Sequence, residues 1–364
     1  MSESSAGSTA SNIFWDIFRY TIIAVLAGFL IYFYVFYKPT NYVSREHEGK
    51  TMGTDYIVKV AHFPENADWK KVADEIQKRL DALDQMMSTY RQDSEVSRFN
   101  AYTSTEDWFS VSKDTAQIVQ TALEISQLSE GAFDVTVTPL VRHWGFGAGS
   151  AWHSGSFEEL RSEAFLLKEQ TGYEKLSVCL DPPALKKAIP ELAIDLSAIG
   201  KGFAVDCIAE LLDSYKISDY LIEVGLEVRC KGKRTTDIDW IIGVEKPLSG
   251  QNAGAQQKFP LVNQSMATSG NYRQTALMGG QRVSHIIDPR TGLPAQIGYG
   301  GYELVSAAVI SPNCAQADAW ATAMFVLGER KGLELAHRHK IAVLFLLRSG
   351  DDIREVPSND WEKK

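Results

Sequence analysis

Ile194–Leu212 reads IDLSAIGKGFAVDCIAELL, a stretch that carries a fold signal and a chemical one together. Ala204, Val205, Ile208 and Leu211 recur at helical spacing, so Phe203 to Leu212 reads as a helix entered through Gly200, Lys201 and Gly202. A lysine between glycines at a helix N-terminus has the composition of an anion site. Free backbone N–H groups, the helix dipole and the ammonium all favour negative charge, and glycine lets a phosphate approach the main chain. The spacing is not that of a Walker A loop, and a glycine-containing helix start is more commonly plain turn geometry.

Helical spacing recurs upstream. Val72, Ile76, Leu80 and Leu83 form one apolar stripe; Ala116, Val119, Ala122, Leu123 and Ile125 form another, which Gly131 is placed to stop. β-branched and aromatic content predicts strands at Tyr56–Val60, Tyr220–Val224, Trp240–Val244, Val283–Ile287, Leu304–Ile310 and Ile341–Leu347. The Gly-, Gln- and Asn-rich run from Leu248 to Gln257 would join two of them. Strands and helices interleave irregularly. The predicted class is therefore α+β, a mixed α/β domain rather than a doubly wound sheet of unbroken βαβ units.

Two further stretches carry chemistry. Ser311–Ala323, SPNCAQADAWATA, predicts a helix entered at Pro312 in which Asp318 and Thr322 fall one turn apart on one face. Two hard oxygens there suit magnesium, which takes one or two carboxylates from protein and leaves the rest of its octahedron to water and phosphate. A solvated helix carboxylate is the plainer alternative. In Val283–Ile287, strand alternation places Val283, His285 and Ile287 on one side, before a turn at Asp288–Gly292. His285 is then either a packed structural residue or a base for activating a hydroxyl.

Composition bounds the rest. The 364 residues are 45% hydrophobic and 23% charged, ordinary for a globular protein. A net charge of -9 without a basic stripe argues against nucleic acid. The cysteines at 179, 207, 230 and 314 are too dispersed for a metal cluster. Tyr20–Tyr37 is eighteen residues without a charge, rimmed by Trp15, Tyr34 and Tyr37, and reads as a membrane-spanning helix. No small-residue cleavage pattern follows it, and no cysteine lies near it for a lipid anchor. The expected organisation is a disordered tail over 1–12, a transmembrane anchor over 13–38, a linker over 39–46 and one catalytic domain over 47–364. Arg19 before the span and Lys38 and Arg45 after it leave its orientation open.

Seven stretches, in order, resemble the FAD:protein FMN transferase family, the ApbE-like proteins: TMGT (51–54), MSTYRQDSE (87–95), GAFDVTVTPL (131–140), DLSAIGKGFAVD (195–206), MATSGNYR (266–273), SHIIDPRTG (284–292) and ADAWATA (317–323). The resemblance implies an extracytoplasmic enzyme, anchored in the inner membrane, that holds FAD and Mg²⁺. It would move FMN to a Thr or Ser of a flavin-accepting protein, a subunit of a membrane redox complex, with release of AMP. The metal would be held by the carbonyl of Ala198 and the side chains of Asp318 and Thr322. FAD would be contacted by Met52, Tyr90, Ala132, Phe133, Asp134, Asp195, Lys201 and Ile287, and His285 would be catalytic.

Two departures stand out. Ala321 occupies a place where some relatives carry a second Asp, and Val224-Gly225-Leu226-Glu227 replaces the family's usual paired glycines. No Asp-Gly-Ala-Thr-like segment is present to be modified, so the acceptor is expected to be another protein. An FAD pyrophosphatase would use the same metal and pocket, and a non-catalytic flavin-binding component would be expected to have lost Asp318 or His285.

Overall fold

The computed structural model describes residues 18–23, 25–26, 28, 41–150, 156–246, 254–271, 275–278, 281–295, 298–299, 302–350 and 352–363. Strands β1 (Tyr42–Thr51) and β2 (Thr54–Pro64) flank a turn in which Met52 and Gly53 both have positive φ, 48° and 73°. Positive φ at both central residues matches the twist of the flanking strands. Glycine takes it freely, whereas Met52 is held there at a cost of order 1 kcal/mol.

Helix α1 (Trp69–Met87) follows, capped by the Asp68 carboxylate on the Lys71 N–H and burying Val72, Ile76, Leu80 and Leu83 as their spacing predicts. After α2 (Glu95–Ala101) and β3 (Phe109–Ser110) comes α3 (Lys113–Leu128). Its end is closed by Glu130 and Gly131 at positive φ, with the Gly131 N–H donating back to Ser126 O at 2.9 Å. Then come α4 (Thr138–His143), α5 (Phe157–Leu167), β4 (Leu176–Leu180), β5 (Pro183–Lys187), α6 (Ser197–Ser214), β6 (Tyr220–Val224), β7 (Glu227–Lys231), β8 (Ile241–Glu245), β9 (Ala255–Pro260) and β10 (Gln264–Gly270). The chain ends with two short hairpins, β11 (Thr275–Met278) with β12 (Gln281–Ser284) and β13 (Ile287–Asp288) with β14 (Leu293–Pro294), followed by β15 (Gly298–Tyr299), β16 (Tyr302–Ser311), α7 (Cys314–His339), β17 (Ala342–Ser349) and β18 (Asp352–Pro357).

The main sheet runs β1-β2-β6-β7-β10-β16-β17-β18, with β15 also on β16. Its pairings from β2 to β18 are antiparallel, so the α+β expectation holds and a doubly wound sheet is excluded. Both faces are covered. On β17, Val343, Phe345 and Leu347 join the main core, while Ala342, Leu344 and Leu346 join a second core beneath the β8–β9 hairpin with Trp240, Ile242 and Trp361. Two buried faces explain why Ile341–Leu347 reads as an unbroken apolar run. A third core gathers Leu140, Trp144, Leu160, Ala164, Val283 and Ile287.

The structure corrects one predicted strand. Val283–Ile287 is not continuous: β12 stops at Ser284, the backbone bends at His285, and β13 belongs to a different hairpin. The Ser284 hydroxyl accepts the Ile286 N–H at 3.1 Å and Ile286 O accepts Ala295 N–H at 2.8 Å, which turns the chain. Val283 and Ile287 are buried together while His285 is half-buried outside that alternation.

By contact the chain divides into Met1–Val43 with Pro64–Ala67, and Ser44–Phe63 with Asp68–Lys364. In the first unit residues 18–23 are helical and exposed, and Glu65 N–H donates to Asn41 O at 2.9 Å. Among the described residues no helix is long and apolar enough to cross a membrane. The predicted tail over 1–12 lies outside the described residues, as does most of the anchor over 13–38. Tyr42 already opens β1, so this strand reaches into the stretch read as linker.

Candidate active site

Helix α6 begins at Ser197, six residues before the predicted start, because Asp195 turns the chain there. Its Oδ1 accepts the Ser197 N–H at 2.8 Å and the Ser197 hydroxyl at 2.5 Å, and its own N–H donates to Val135 O at 2.8 Å. Lys201 therefore sits one turn inside the helix. The N–H groups of Ile199 and Gly200 are taken by Leu196 O, so the free-amide anion site expected around Lys201 is not built.

The two glycines serve packing instead. A Cβ on Gly202 would lie 2.3 Å from Cys314 O, and one on Gly200 would lie 3.3 Å from Met87 Sδ. Their absence lets α6 sit against the start of α7 and the end of α1. Asp206, one turn on, accepts the N–H groups of Cys314 and Ala315 at 3.0 and 2.9 Å and pairs with Arg229 at 2.8 Å. That capping starts α7 at Cys314, two residues after the expected Pro312.

This contact carries Asp318 to the first turns of α6. Asp318 is 3% exposed, which rules out the solvated-carboxylate alternative. Its Oδ2 accepts the Gly202 N–H at 3.0 Å and stands 3.9 Å from Lys201 Nζ, which is 3.4 Å from Glu227 Oε1. In an α-helix the Gly202 N–H points along the axis to the carbonyl four residues back, that of Ala198. The Ala198 carbonyl and the Asp318 carboxylate thus converge on one N–H. Thr322 follows one turn after Asp318, its hydroxyl 2.9 Å from that of Ser269 on β10. Among the described residues no group of three or more His, Cys, Asp or Glu side chains forms a metal centre, so a metal here would rest on one carboxylate with neutral oxygens.

Burial lowers the Lys201 ammonium, but Asp318 and then Glu227 outweigh it and leave its pKa raised. Burial also raises both carboxyls against the pull of Lys201, Asp318 above its ordinary value and Glu227 to about 8. At about 8 Glu227 keeps its proton at neutral pH, so Lys201 faces Asp318 as its ionised partner, and a divalent ion would have to share that one carboxylate. The donor set fits magnesium: a carboxylate, a hydroxyl and a main-chain carbonyl.

The other predicted residues lie on other elements: the β1–β2 turn, the segments after α1 and α3, and the entry to β13. Gly225 N–H donates to Asp55 O at 3.0 Å, tying the β6–β7 turn to the hairpin that presents Met52, which packs partly buried on the main core. Tyr90 is 75% exposed. Ala132 and Phe133 are buried in the main core. Asp134 Oδ1 accepts the Thr136 N–H and hydroxyl, both at 2.7 Å, and Oδ2 accepts Tyr173 N–H at 2.8 Å. Burial nonetheless pushes its carboxyl up to about 6. The neighbouring Gly131 abuts Arg290, whose guanidinium grips Asp288 at 2.9 and 2.8 Å beside Ile287. Ile287 is buried in the third core, and His285 stands edge-on to Phe146 at 6.2 Å between ring centres. A cavity of about 420 Å³ on the opposite face of the sheet, lined by Lys59, Glu223, Trp240 and Met266 among others, takes none of these residues.

The ApbE family model matches residues 52–345, which span every stretch of this arrangement beyond Thr51. The chain belongs to the ApbE family. It is 40% identical over 326 residues to a protein of Vibrio cholerae named FAD:protein FMN transferase, covering 89% of this chain and 93% of that one. A protein of the same name from Escherichia coli is 35% identical over 344 residues, 92% of this chain and 94% of that one. Among solved structures, the flavin transferase ApbE from Vibrio cholerae superposes with a TM-score of 0.77 at 37% identity, over 89% of this chain and 99% of the other. The apo flavinyl transferase ApbE of Pseudomonas stutzeri does so with 0.77 at 30% identity, over 90% and 98%.

Sequence reasoning missed Glu227 and Ser269 as site residues. Glu227 stands where this ApbE chain departs from the paired glycines, and that departure was its only local signal. Ser269 lies inside MATSGNYR, but nothing local links it to Thr322, some fifty residues on.

Proposed function

We propose that the chain is a magnesium-dependent FAD:protein FMN transferase, joining FMN through a phosphoester bond to a Thr or Ser hydroxyl of another protein and releasing AMP. The observation that carries the reading is the buried Asp318 carboxylate held by the Gly202 N–H near the start of α6, one helical turn before Thr322. It occurs in a chain that aligns over 89% of its length with a protein of that name. Ala198, Asp318 and Thr322 would hold the metal, and the chemistry it supplies when bound is charge withdrawal from the pyrophosphate. Lys201, kept charged chiefly by Asp318, would add a positive charge near the same group. Tyr90 offers an exposed aromatic face to a flat ring of FAD. His285 takes the proton of the acceptor hydroxyl as its oxygen bonds to the FMN phosphorus and the bond from that phosphorus to AMP breaks.

Residues 13–38 would anchor the chain in the inner membrane with the catalytic domain on the extracytoplasmic side, close to a membrane redox-complex subunit as acceptor. The apolar run Tyr20–Tyr37 supports this. Recovery of the full chain in the soluble fraction of lysed cells would overturn it.

The test of the reaction is Asp318→Asn, which keeps the volume and an acceptor for the Gly202 N–H while removing the charge. FMN transfer should fall at least ~10²-fold and lose its response to magnesium, with the melting temperature held or raised. Wild-type transfer by this variant would refute the metal assignment. AMP release measured with and without a flavin-accepting protein separates a transferase from a pyrophosphatase: release that is indifferent to the acceptor means the latter.

A further inference from the structure

We propose that Ser269 is a positioning residue that sets the orientation of the Thr322 hydroxyl for a cation, a role that rests on the magnesium reading above. The two hydroxyl oxygens stand 2.9 Å apart, and on that distance alone either one could be the donor. A hydroxyl has one proton and two lone pairs, so an oxygen that gives a lone pair to a cation must send its proton elsewhere. The cation also draws charge from that oxygen and makes its proton a stronger donor. With a cation on Thr322, Thr322 is therefore the donor and Ser269 Oγ the acceptor. Ser269 thereby fixes the direction in which the Thr322 lone pairs point.

The helix itself offers Thr322 a competing partner. A serine or threonine inside a helix can donate to the carbonyl four residues back, which folds its hydroxyl against the main chain. Thr121 and Ser126 of α3 do this, with Gln117 O at 3.1 Å and Ala122 O at 2.9 Å. Thr322 instead reaches across to the sheet. Its partner there is held firmly: β10 lies between β7 and β16, and Ser269 is paired opposite Ala307. Two residues before Ser269 on the same strand, Ala267 joins the main core together with Ala319 and Ala323 of α7, so β10 and this stretch of α7 are packed through one core. Ser269 and Thr322 are both half-buried, and neither is sealed from solvent. A hydroxyl carried on a sheet strand keeps its place better than one on a loop, as orienting a metal ligand requires.

The test is a double-mutant cycle on Mg²⁺ affinity, with Ser269→Ala, Thr322→Val and the two together, and Mg²⁺ as the probe. Affinity is read from the Mg²⁺-induced rise in melting temperature of the full chain and, separately, from the Mg²⁺ concentration that gives half-maximal FMN transfer. Ser269→Ala should weaken Mg²⁺ binding by ~10–100-fold, the range for removing a group that orients a metal ligand, and excess Mg²⁺ should bring transfer back to within about threefold of wild type. In the Thr322→Val background the same change should cost less than about twofold, because the hydroxyl through which Ser269 acts is gone. Unchanged Mg²⁺ affinity in Ser269→Ala, a loss as large in the Thr322→Val background as in wild type, or a loss of transfer that excess Mg²⁺ does not restore would overturn the role. Wild-type Mg²⁺ affinity in Thr322→Val would overturn the metal assignment at Thr322 itself, and Ser269 would lose its role with it.

Discussion

Replacing Gly202 with alanine puts a methyl where the start of α7 already stands. The added carbon would lie 2.3 Å from Cys314 O, 2.7 Å from Cys314 C and 2.9 Å from Ala315 Cα. All three are main-chain atoms, and the Asp206 carboxylate holds the N–H groups of both residues, so no rotamer change relieves the overlap. Restoring ordinary carbon contacts near ~3.5 Å requires the helices to separate by roughly 1 Å. Overpacking of this kind costs about 1–3 kcal/mol, against the ~1 kcal/mol that alanine gains over glycine inside a helix. The melting temperature should fall by a few degrees. Activity should fall further, because the Gly202 N–H to Asp318 bond ties the carboxylate to α6, and a displacement of ~1 Å at a reacting centre costs ~10² in rate. Gly200→Ala is the control: the same exchange in the same helix, facing only the flexible end of Met87 at 3.3 Å. It should keep its rate and melt no lower than wild type. Thermal melts and FMN-transfer rates on both variants decide the matter, and a Gly202→Ala protein with wild-type melting and wild-type transfer refutes the reasoning.

Lys201→Met should cost about 3–5 kcal/mol in a urea titration, since it strips the cation from Asp318 and Glu227, which are 3% and 2% exposed; unchanged stability would mean that the pair is neutral without it. For Asp134, burial sets the carboxyl at about 6 against 3.8 in an unfolded chain, so the folded protein binds this proton more tightly. Its contribution to stability is complete below about pH 4 and is lost as pH rises through about 6, by ~3 kcal/mol at most. The stability difference between wild type and Asp134→Asn should therefore change across that window and be constant above ~pH 7, and a difference that is flat throughout would refute the assignment.

What was legible in the sequence is what the chain decides within a few residues. The stripe of α1, the close of α3 at Gly131 and the shared face of Asp318 and Thr322 all follow from a 3.6-residue period. The strand at Tyr220–Val224 was legible from its β-branched and aromatic content, also decided within a few residues. The break at His285 was not, because a side-chain bond from Ser284 and a main-chain bond to Ala295 overrule β propensity there. Nor was the purpose of Gly202, whose constraint comes from a helix more than a hundred residues later. Glu227 becomes part of the site only because the sheet order sets β7 between β6 and β10, beneath α6 and α7. No local pattern carries that information.

The distances within the cluster bear on how it works. Some exposed ion pairs of this chain close tightly, Lys50 with Asp55 at 2.8 Å and Arg338 with Glu130 at 2.6 Å, while others stand off, Lys59 with Glu46 at 3.3 Å and Arg161 with Glu158 at 3.6 Å. Lys201 stands off at 3.4 Å from Glu227 and 3.9 Å from Asp318, beyond the ~2.7–2.9 Å of a charge-assisted bond, even though burial there strengthens attraction. Main-chain bonds hold the carboxylates back: Gly202 N–H fixes Asp318 to α6, and Leu226 N–H fixes Glu227 to the β6–β7 turn. A lysine that closed onto Asp318 would neutralise the carboxylate and occupy its oxygens. Held apart, it leaves the oxygens of Asp318 open, as the metal site proposed beside Thr322 would require. The rigidity that separates them comes from glycine-mediated helix packing and from backbone N–H groups, so the site depends on the main chain of α6 as much as on the side chains its motif displays.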